Sequence, residues 1–143
     1  MSSRIYLIRH GETEWSLNQQ HTGSTEVLLT SNGEKQAQRT AETFVGDGKL
    51  IQPKRIKRIF CSPRKRARQT LRLLGLGDED ELSVSGLTSS ETPSVKITEL
   101  LREWDYGNYE GLTIEEVRKL RRSRNLDEVR PWNIWRDGCE GGE

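Results

Sequence analysis

Ile5-Tyr6-Leu7-Ile8-Arg9-His10-Gly11-Glu12-Thr13 is the stretch on which the reading of this chain turns. Four apolar residues in unbroken succession predict a strand covered on both faces, as in a parallel sheet, rather than the alternating pattern of a half-exposed one. The run ends on an arginine, a histidine and a glycine. In open α/β sheets, ligands bind just beyond the carboxyl ends of the strands. A histidine delivered there is a candidate nucleophile, and the arginine beside it a planar clamp for an anion. Taken alone, a histidine next to a strand is more often a structural residue, so the reading depends on what the rest of the chain brings to the same edge.

Working outward, Gly11 to Leu29 reads as a long loop. Ser31-Asn32-Gly33-Glu34 reads as a capping box with Ser31 as the N-cap. Ala37, Ala41, Phe44 and Val45 follow at helical spacing, and Gly46-Asp47-Gly48 stops the helix. Ile56 to Cys61 is a second strand. Ser62-Pro63 supplies an N-cap and a proline at the first helical position, opening a helix to about Leu74. Residues 75–94, rich in Gly, Ser, Thr and acids, read as a surface excursion. Val95 to Thr98 is a third strand, and Thr113-Ile114-Glu115-Glu116 is a second capping box heading a helix to about Arg122. Alternating strands and helices predict an α/β fold with a mostly parallel sheet, in one domain spanning residues 1–143. His10, Arg64 and Glu103 then follow strands one, two and three, which places all three on one edge of the sheet.

The chain carries 23 Lys+Arg against 22 Asp+Glu, a net charge of +1, which gives no global signal for nucleic acid or membrane. Between Lys54 and Arg72 lie nine basic residues and no acid, a run that suits a nucleic-acid patch or a localisation signal. Apolar residues divide that run into a strand and a helix, which favours a solvated or substrate-steering face. No apolar stretch approaches the roughly 18 residues of a membrane span, and the predicted strand begins too early for a secretory leader. Cys61 and Cys139 fit no zinc or redox spacing. The expectation is a reduced, cytoplasmic protein with no nucleic-acid or membrane partner and no metal or cofactor; a homo-oligomer is left open. Hydrophobic residues make up 31% of the chain and the mean hydropathy is −0.82, so the core is either modest or incomplete.

The residues at the sheet edge share a chemistry. For His10 to attack phosphorus, its reacting nitrogen must carry a lone pair, with the other nitrogen donating to a carbonyl; nearby arginines disfavour the imidazolium. Gly11 allows close backbone approach to a ligand. Arg64, in the first turn of the helix opened by Ser62-Pro63, sits at an anion-binding helix N-terminus, so that Arg9 and Arg64 form an electrostatic clamp on a phosphoryl group. Glu103 lies among Leu100, Leu101 and Trp104. A lone glutamate next to a tryptophan is usually a rim residue, yet apolar surroundings are also what a general acid needs.

Three strings, Arg9-His10-Gly11-Glu12-Thr13-Glu14-Trp15-Ser16, Cys61-Ser62-Pro63-Arg64-Lys65-Arg66-Ala67-Arg68-Gln69-Thr70 and Leu101-Arg102-Glu103-Trp104-Asp105-Tyr106-Gly107-Asn108-Tyr109-Glu110-Gly111, resemble the signatures of the histidine phosphatase (phosphoglycerate mutase-like) superfamily, in that family's order. Together with Arg130-Pro131-Trp132-Asn133-Ile134-Trp135-Arg136-Asp137-Gly138-Cys139, they are most similar to the fungal sedoheptulose-1,7-bisphosphatase-like group. The resemblance implies a three-layer αβα fold and a metal-independent phosphatase acting on small sugar phosphates through a phosphohistidine. It assigns catalysis to His10, Arg9, Arg64 and Glu103, with Glu103 as proton donor. It assigns substrate binding to Arg9, Ser16, Thr22, Gly23, Arg64, Glu103 and Tyr106. His21, which precedes the Thr22-Gly23 pair, is expected as pocket wall or surface. A mutase-type phosphotransferase uses the same four groups and differs in the acceptor. Relatives carry a second histidine on a strand beyond the last residue here. The resemblance therefore implies the first part of a family domain, with a poorly covered first strand and low turnover, and leaves a non-catalytic phospho-ligand-binding remnant or a truncated gene model as the rival reading.

Overall fold

Two parallel strands, β1 (Arg58–Cys61) and β2 (Ser94–Ile97), pair from Arg58↔Ser94 to Cys61↔Ile97 in a computed structural model that describes residues 4–77 and 93–143. They are the second and third strands anticipated from sequence. Around them stand α1 (Glu14–Leu17), α2 (Ser31–Phe44), α3 (Lys65–Leu73), α4 (Ile114–Ser123) and α5 (Ile134–Asp137). Short 3-10 turns lie at Pro53–Arg55, Glu99–Leu101 and Gly107–Tyr109. Helix α3 packs on both β1 and α2. The arrangement is α/β, as the alternation of elements requires. The expected excursion at 75–94 falls mostly on residues 78–92, outside the described residues; of its flanks, Leu76 is a core residue and Ser94 begins β2.

The helix starts follow cap chemistry. Thr113 caps α4 by accepting from the Glu116 N–H, while the Glu116 carboxylate accepts from the Thr113 N–H, the anticipated capping box. In α2 the cap lies one residue earlier than expected: the Thr30 hydroxyl, not Ser31, accepts from the Gly33 N–H at 3.0 Å. Helix α1 breaks up the loop expected over 11–29. Its signal was the spacing Thr13-x-x-Ser16, whose two residues form a reciprocal capping box.

Two corrections concern the elements beneath the site. Ile5 to Ile8 joins no strand ladder among the described residues, and Ile5 and Leu7 are 85% and 93% exposed. A continuous apolar run records a preference for burial without supplying the partner that satisfies it, and β1 and β2 pair with each other. The second correction concerns α3, which begins at Lys65 with Arg64 as its N-cap, so Arg64 precedes the first turn.

The core has two parts. Tyr109, Val117, Trp132 and Cys139 pack with Trp104, Tyr106, Leu112, Leu120 and Ile134. Ile51, Leu74 and Leu76 pack with Ala41, Val45, Ile56, Ile59 and Leu71. The first cluster is the floor on which the segment after Glu103 rests.

Candidate active site

His10 follows the apolar segment and turns its Nδ1 onto the Gly11 carbonyl at 2.8 Å. A carbonyl can only accept, so Nδ1 carries the proton and Nε2 keeps its lone pair, the tautomer that nucleophilic attack requires. Burial lowers the pKa of His10 most. The charges of Arg66 and Arg9 add to that, the Gly11 carbonyl and Glu103 oppose it, and the net result lies below the ordinary imidazole value of 6.5. The imidazole is therefore neutral near pH 7.

The backbone under His10 is tied down on two sides. The Gly11 N–H donates to the Thr70 hydroxyl at 3.1 Å, and that hydroxyl donates in turn to the Arg66 carbonyl at 2.8 Å, linking the nucleophile's loop to α3. The Glu12 carboxylate accepts from Thr30 and Asn32 at 2.7 and 3.1 Å, and the Glu12 N–H donates to Gln36. Gly11 itself lies against Gly33, and a Cβ at Gly11 would stand 2.5 Å from the Gly33 carbonyl oxygen. The missing side chain serves loop-to-helix packing rather than ligand approach.

Of the two arginines on the Ser62–Thr70 segment, the structure turns them to different tasks. Arg64 Nη1 donates to Glu26 and to the Ser24 carbonyl, both at 3.2 Å, and Nη2 lies 3.9 Å from Glu99. The anion at the start of α3 is the protein's own Glu26, whose Oε2 accepts from the Lys65 N–H at 2.7 Å. Burial works against ionisation of Glu26, but the Lys65 N–H and Arg64 hold its carboxyl below the ordinary value. The expected phosphate site at that helix end is thus filled from within. Arg64 Nε remains buried with no partner among the described residues.

Arg66, only 2% exposed, is the residue of this segment whose charge reaches His10. Its Nη1 donates to the Thr25 carbonyl at 3.0 Å, and its Nη2 to those of Thr22 and Gly23 at 3.1 Å each. Burial lowers its pKa most; the carboxylates of Glu103, Glu26 and Glu110 oppose this. Sequence reasoning passed over Arg66. Its signal is position: two residues after Arg64 it lies inside α3, four residues before the Thr70 that anchors Gly11.

Glu103 reaches both His10 and Arg66 electrostatically, so the third expected group does approach the first, with Arg66 rather than Arg64 as the arginine acting on both. Its side chain is exposed rather than packed, and Oε1 accepts from the Trp104 N–H at 3.1 Å. Tyr106 is half-buried; burial and the Glu103 charge raise its pKa, which keeps the phenol protonated and able to donate. The His21 ring meets Tyr106 edge-on at 4.8 Å, and its Nδ1 donates to the Leu112 carbonyl at 2.7 Å. Thr22 and Gly23 follow His21 directly, with the Thr22 hydroxyl donating to the Gln20 carbonyl. Ser16 does not present a free hydroxyl: its Oγ donates to the Thr13 carbonyl and accepts from the Thr13 N–H, both at 2.8 Å, because it closes the α1 capping box. Both cysteines are buried, and desolvation raises their thiol pKa values. Among the described residues no three His, Cys, Asp or Glu side chains gather into a metal-holding group, and no helix is long and apolar enough to cross a membrane.

A neutral histidine flanked by two arginines and a carboxylate is suited to taking up a phosphoryl group. Comparison with known proteins agrees in kind. Residues 5–143 match the family described as the histidine phosphatase superfamily (branch 1). The sedoheptulose 1,7-bisphosphatase of Saccharomyces cerevisiae is 46% identical over 145 residues, covering 100% of this chain and 50% of the relative. An acid phosphatase of Mycobacterium tuberculosis is 39% identical over 140 residues, covering 98% of this chain and 55% of that one. A solved structure of a Mycobacterium tuberculosis open reading frame product superposes with a TM-score of 0.58 at 34% identity, over 94% of this chain and 54% of that one. The chain spans about half the length of the curated relatives it matches.

Proposed function

The chain belongs to the histidine phosphatase superfamily, and we propose that its site removes a phosphoryl group from a small sugar phosphate, of the sugar bisphosphate class, through a phosphohistidine on His10. The observation that carries this reading is the His10 tautomer, with Nδ1 held by the Gly11 carbonyl and the ring kept neutral by burial and two arginines. Nε2 attacks phosphorus, the bond from phosphorus to the sugar oxygen breaks, and Glu103 gives its proton to the leaving alkoxide. Glu103, now a carboxylate, takes a proton from water as that water attacks the phosphohistidine. Inorganic phosphate leaves, and His10 and the protonated Glu103 are restored.

Arg9 and Arg66 hold the non-bridging oxygens, where charge builds up in transfer. This moves the second arginine of the clamp from Arg64 to Arg66, because Arg64 already serves Glu26. Arg64 keeps a binding role through the positive charge it places near the rim, and Tyr106 offers a hydroxyl to the sugar. Thr22 and Gly23 shape the substrate's surroundings rather than bond it through the Thr22 hydroxyl or the Gly23 amide, both of which are committed within the protein. The bisphosphate class is supported by the 46% identity with the yeast sedoheptulose 1,7-bisphosphatase across the whole of this chain.

The test is release of inorganic phosphate from sedoheptulose 1,7-bisphosphate, fructose 1,6-bisphosphate and 3-phosphoglycerate, with a second sugar phosphate present as competing acceptor. Faster release from the sugar bisphosphates, abolished by His10→Ala, is expected. Transfer to the second sugar in preference to water would assign a mutase-type reaction. Tight phosphate binding without any release would leave a binding fragment.

A further inference from the structure

Segment 22–25 carries two of the groups placed at the substrate, and both its N–H and its C=O groups are held by charged side chains. From one side the buried guanidinium of Arg66 donates to the carbonyls of Thr22, Gly23 and Thr25. From the other, the Glu110 carboxylate accepts the Gly23 N–H on both oxygens, at 3.0 and 2.9 Å, and the Thr25 N–H on Oε1 at 2.9 Å. Gly23 is therefore bonded through its amide to an anion and through its carbonyl to a cation. Its Cα also lies against the segment that follows the candidate acid: a Cβ there would collide with the Trp104 carbonyl and come within 3.0 Å of the Tyr106 ring. Just upstream, the His21 N–H donates to the Leu112 carbonyl at 2.9 Å and the Gly111 N–H to the His21 carbonyl at 2.8 Å, so the whole stretch is seated on residues 110–112.

We propose that Glu110 is a positioning residue of the phosphoryl site: with Arg66 it clamps segment 22–25 and so fixes the clamp arginine, the substrate-facing backbone and the acid-bearing segment relative to one another. The proposal rests on the reading of the site given above. Its logic is reciprocal. Arg66 must hold one side of its guanidinium on the segment in order to present the other to phosphoryl oxygens, and it can do so only if the segment is itself held. Glu110 supplies that hold through charge-assisted bonds, which are stronger than the neutral bonds of an ordinary loop. It also lies close enough to Arg66 and Tyr106 for its charge to act on both.

Glu110→Gln is the informative variant. It keeps the shape, but replaces one accepting oxygen with an NH2 group that cannot accept. With the NH2 at the Oε1 position both amides face a donor, and at the Oε2 position Gly23 does; in either placement the remaining acceptor is no longer charged. The experiment uses the full chain, with amide exchange read by NMR and inorganic phosphate as the probe. Exchange at Gly23 and Thr25 is expected to quicken about tenfold or more, the scale of one charge-assisted bond. Phosphate affinity should fall by a similar factor, while exchange at Val117 in the core stays unchanged. If Glu110→Gln unfolds, Glu110→Asp replaces it: charge is retained, reach is shortened, and the same two amides should loosen. Released amides with unchanged phosphate affinity would overturn the proposal, as would faster exchange spread evenly to Val117. Absence of phosphate binding in the unsubstituted chain would instead refute the reading of the site, and the positioning role with it.

Discussion

Replacing Arg66 with lysine separates the two arginines of the Ser62–Thr70 segment more sharply than any other change. Arg66 is 2% exposed and makes three bonds to carbonyls, at 3.0, 3.1 and 3.1 Å. A lysine in its place keeps the charge but is a single point donor on a flexible stem, able to serve one of those carbonyls well. Two charge-assisted bonds are lost, each worth about 1.5–3 kcal/mol, so the cost is about 3–6 kcal/mol. That is a large part of the ~5–15 kcal/mol of a typical domain, and at roughly 3–5 °C per kcal/mol it lowers Tm by on the order of 10–30 °C. Arg64→Lys changes the geometry of an ion pair with Glu26 whose side chains are 20% and 37% exposed, and such pairs are worth about 0–1 kcal/mol in all. Urea unfolding of both variants and the parent, followed by tryptophan fluorescence, gives the comparison directly. If Arg64→Lys proves the more costly, the assignment of Arg66 as the buried keystone of the site is wrong. Phosphate binding supplies a second readout: Arg66→Lys should weaken it markedly and Arg64→Lys only slightly.

His10 should titrate below the ordinary imidazole value of 6.5 because burial and the two arginines disfavour its charged form. A lowered folded-state pKa means that stability is lost as pH falls from about 6.5 toward that lower value, since the unfolded chain takes up the proton first; an NMR titration of the His10 ring at or above 6.5 would contradict it. Glu103→Gln should slow release from alkyl phosphates about 100- to 10,000-fold, the span of general acid catalysis, and do much less to nitrophenyl phosphate; equal losses on both would make Glu103 structural. Arg136, with the Asn133 N–H, holds the Asp137 carboxyl down at about 2 against its usual 3.8, so its contribution to stability is full above pH 3.8 and disappears as pH falls through 2. Carboxyl NMR of Asp137 should show that midpoint, and an ordinary titration would mean that the ion pairs do not persist in solution.

Much of the fold was legible because it depends on local chemistry. β1, β2 and the Thr113–Glu116 capping box follow from apolar runs and cap residues, and they lie where the spacing placed them. The Ile5–Ile8 run was readable as apolar but not as unpaired, since pairing is a property of whole sheets. The site was legible where residue type dictates role, as for His10 beside Arg9. It was not legible where a competing partner decides: Arg64 carries the same guanidinium as Arg66, and only three-dimensional placement shows that Arg64 pairs with Glu26 while the charge of Arg66 reaches His10. Ser16 is a similar case, since its hydroxyl reads as a binding group until Thr13 is seen to use it as a cap. Glu110 had no signal in the sequence, because its partners are backbone amides some 85 and 87 residues away.

The central claim is that His10 accepts the phosphoryl group on Nε2. It is tested most directly by exposing the chain to a sugar bisphosphate, quenching without acid, and mapping phosphorylation by mass spectrometry. One phosphoryl group on the peptide carrying His10, absent from His10→Ala and diminished in Arg66→Lys, is the predicted result. Phosphorylation at another residue, or phosphate release that survives His10→Ala, would contradict it.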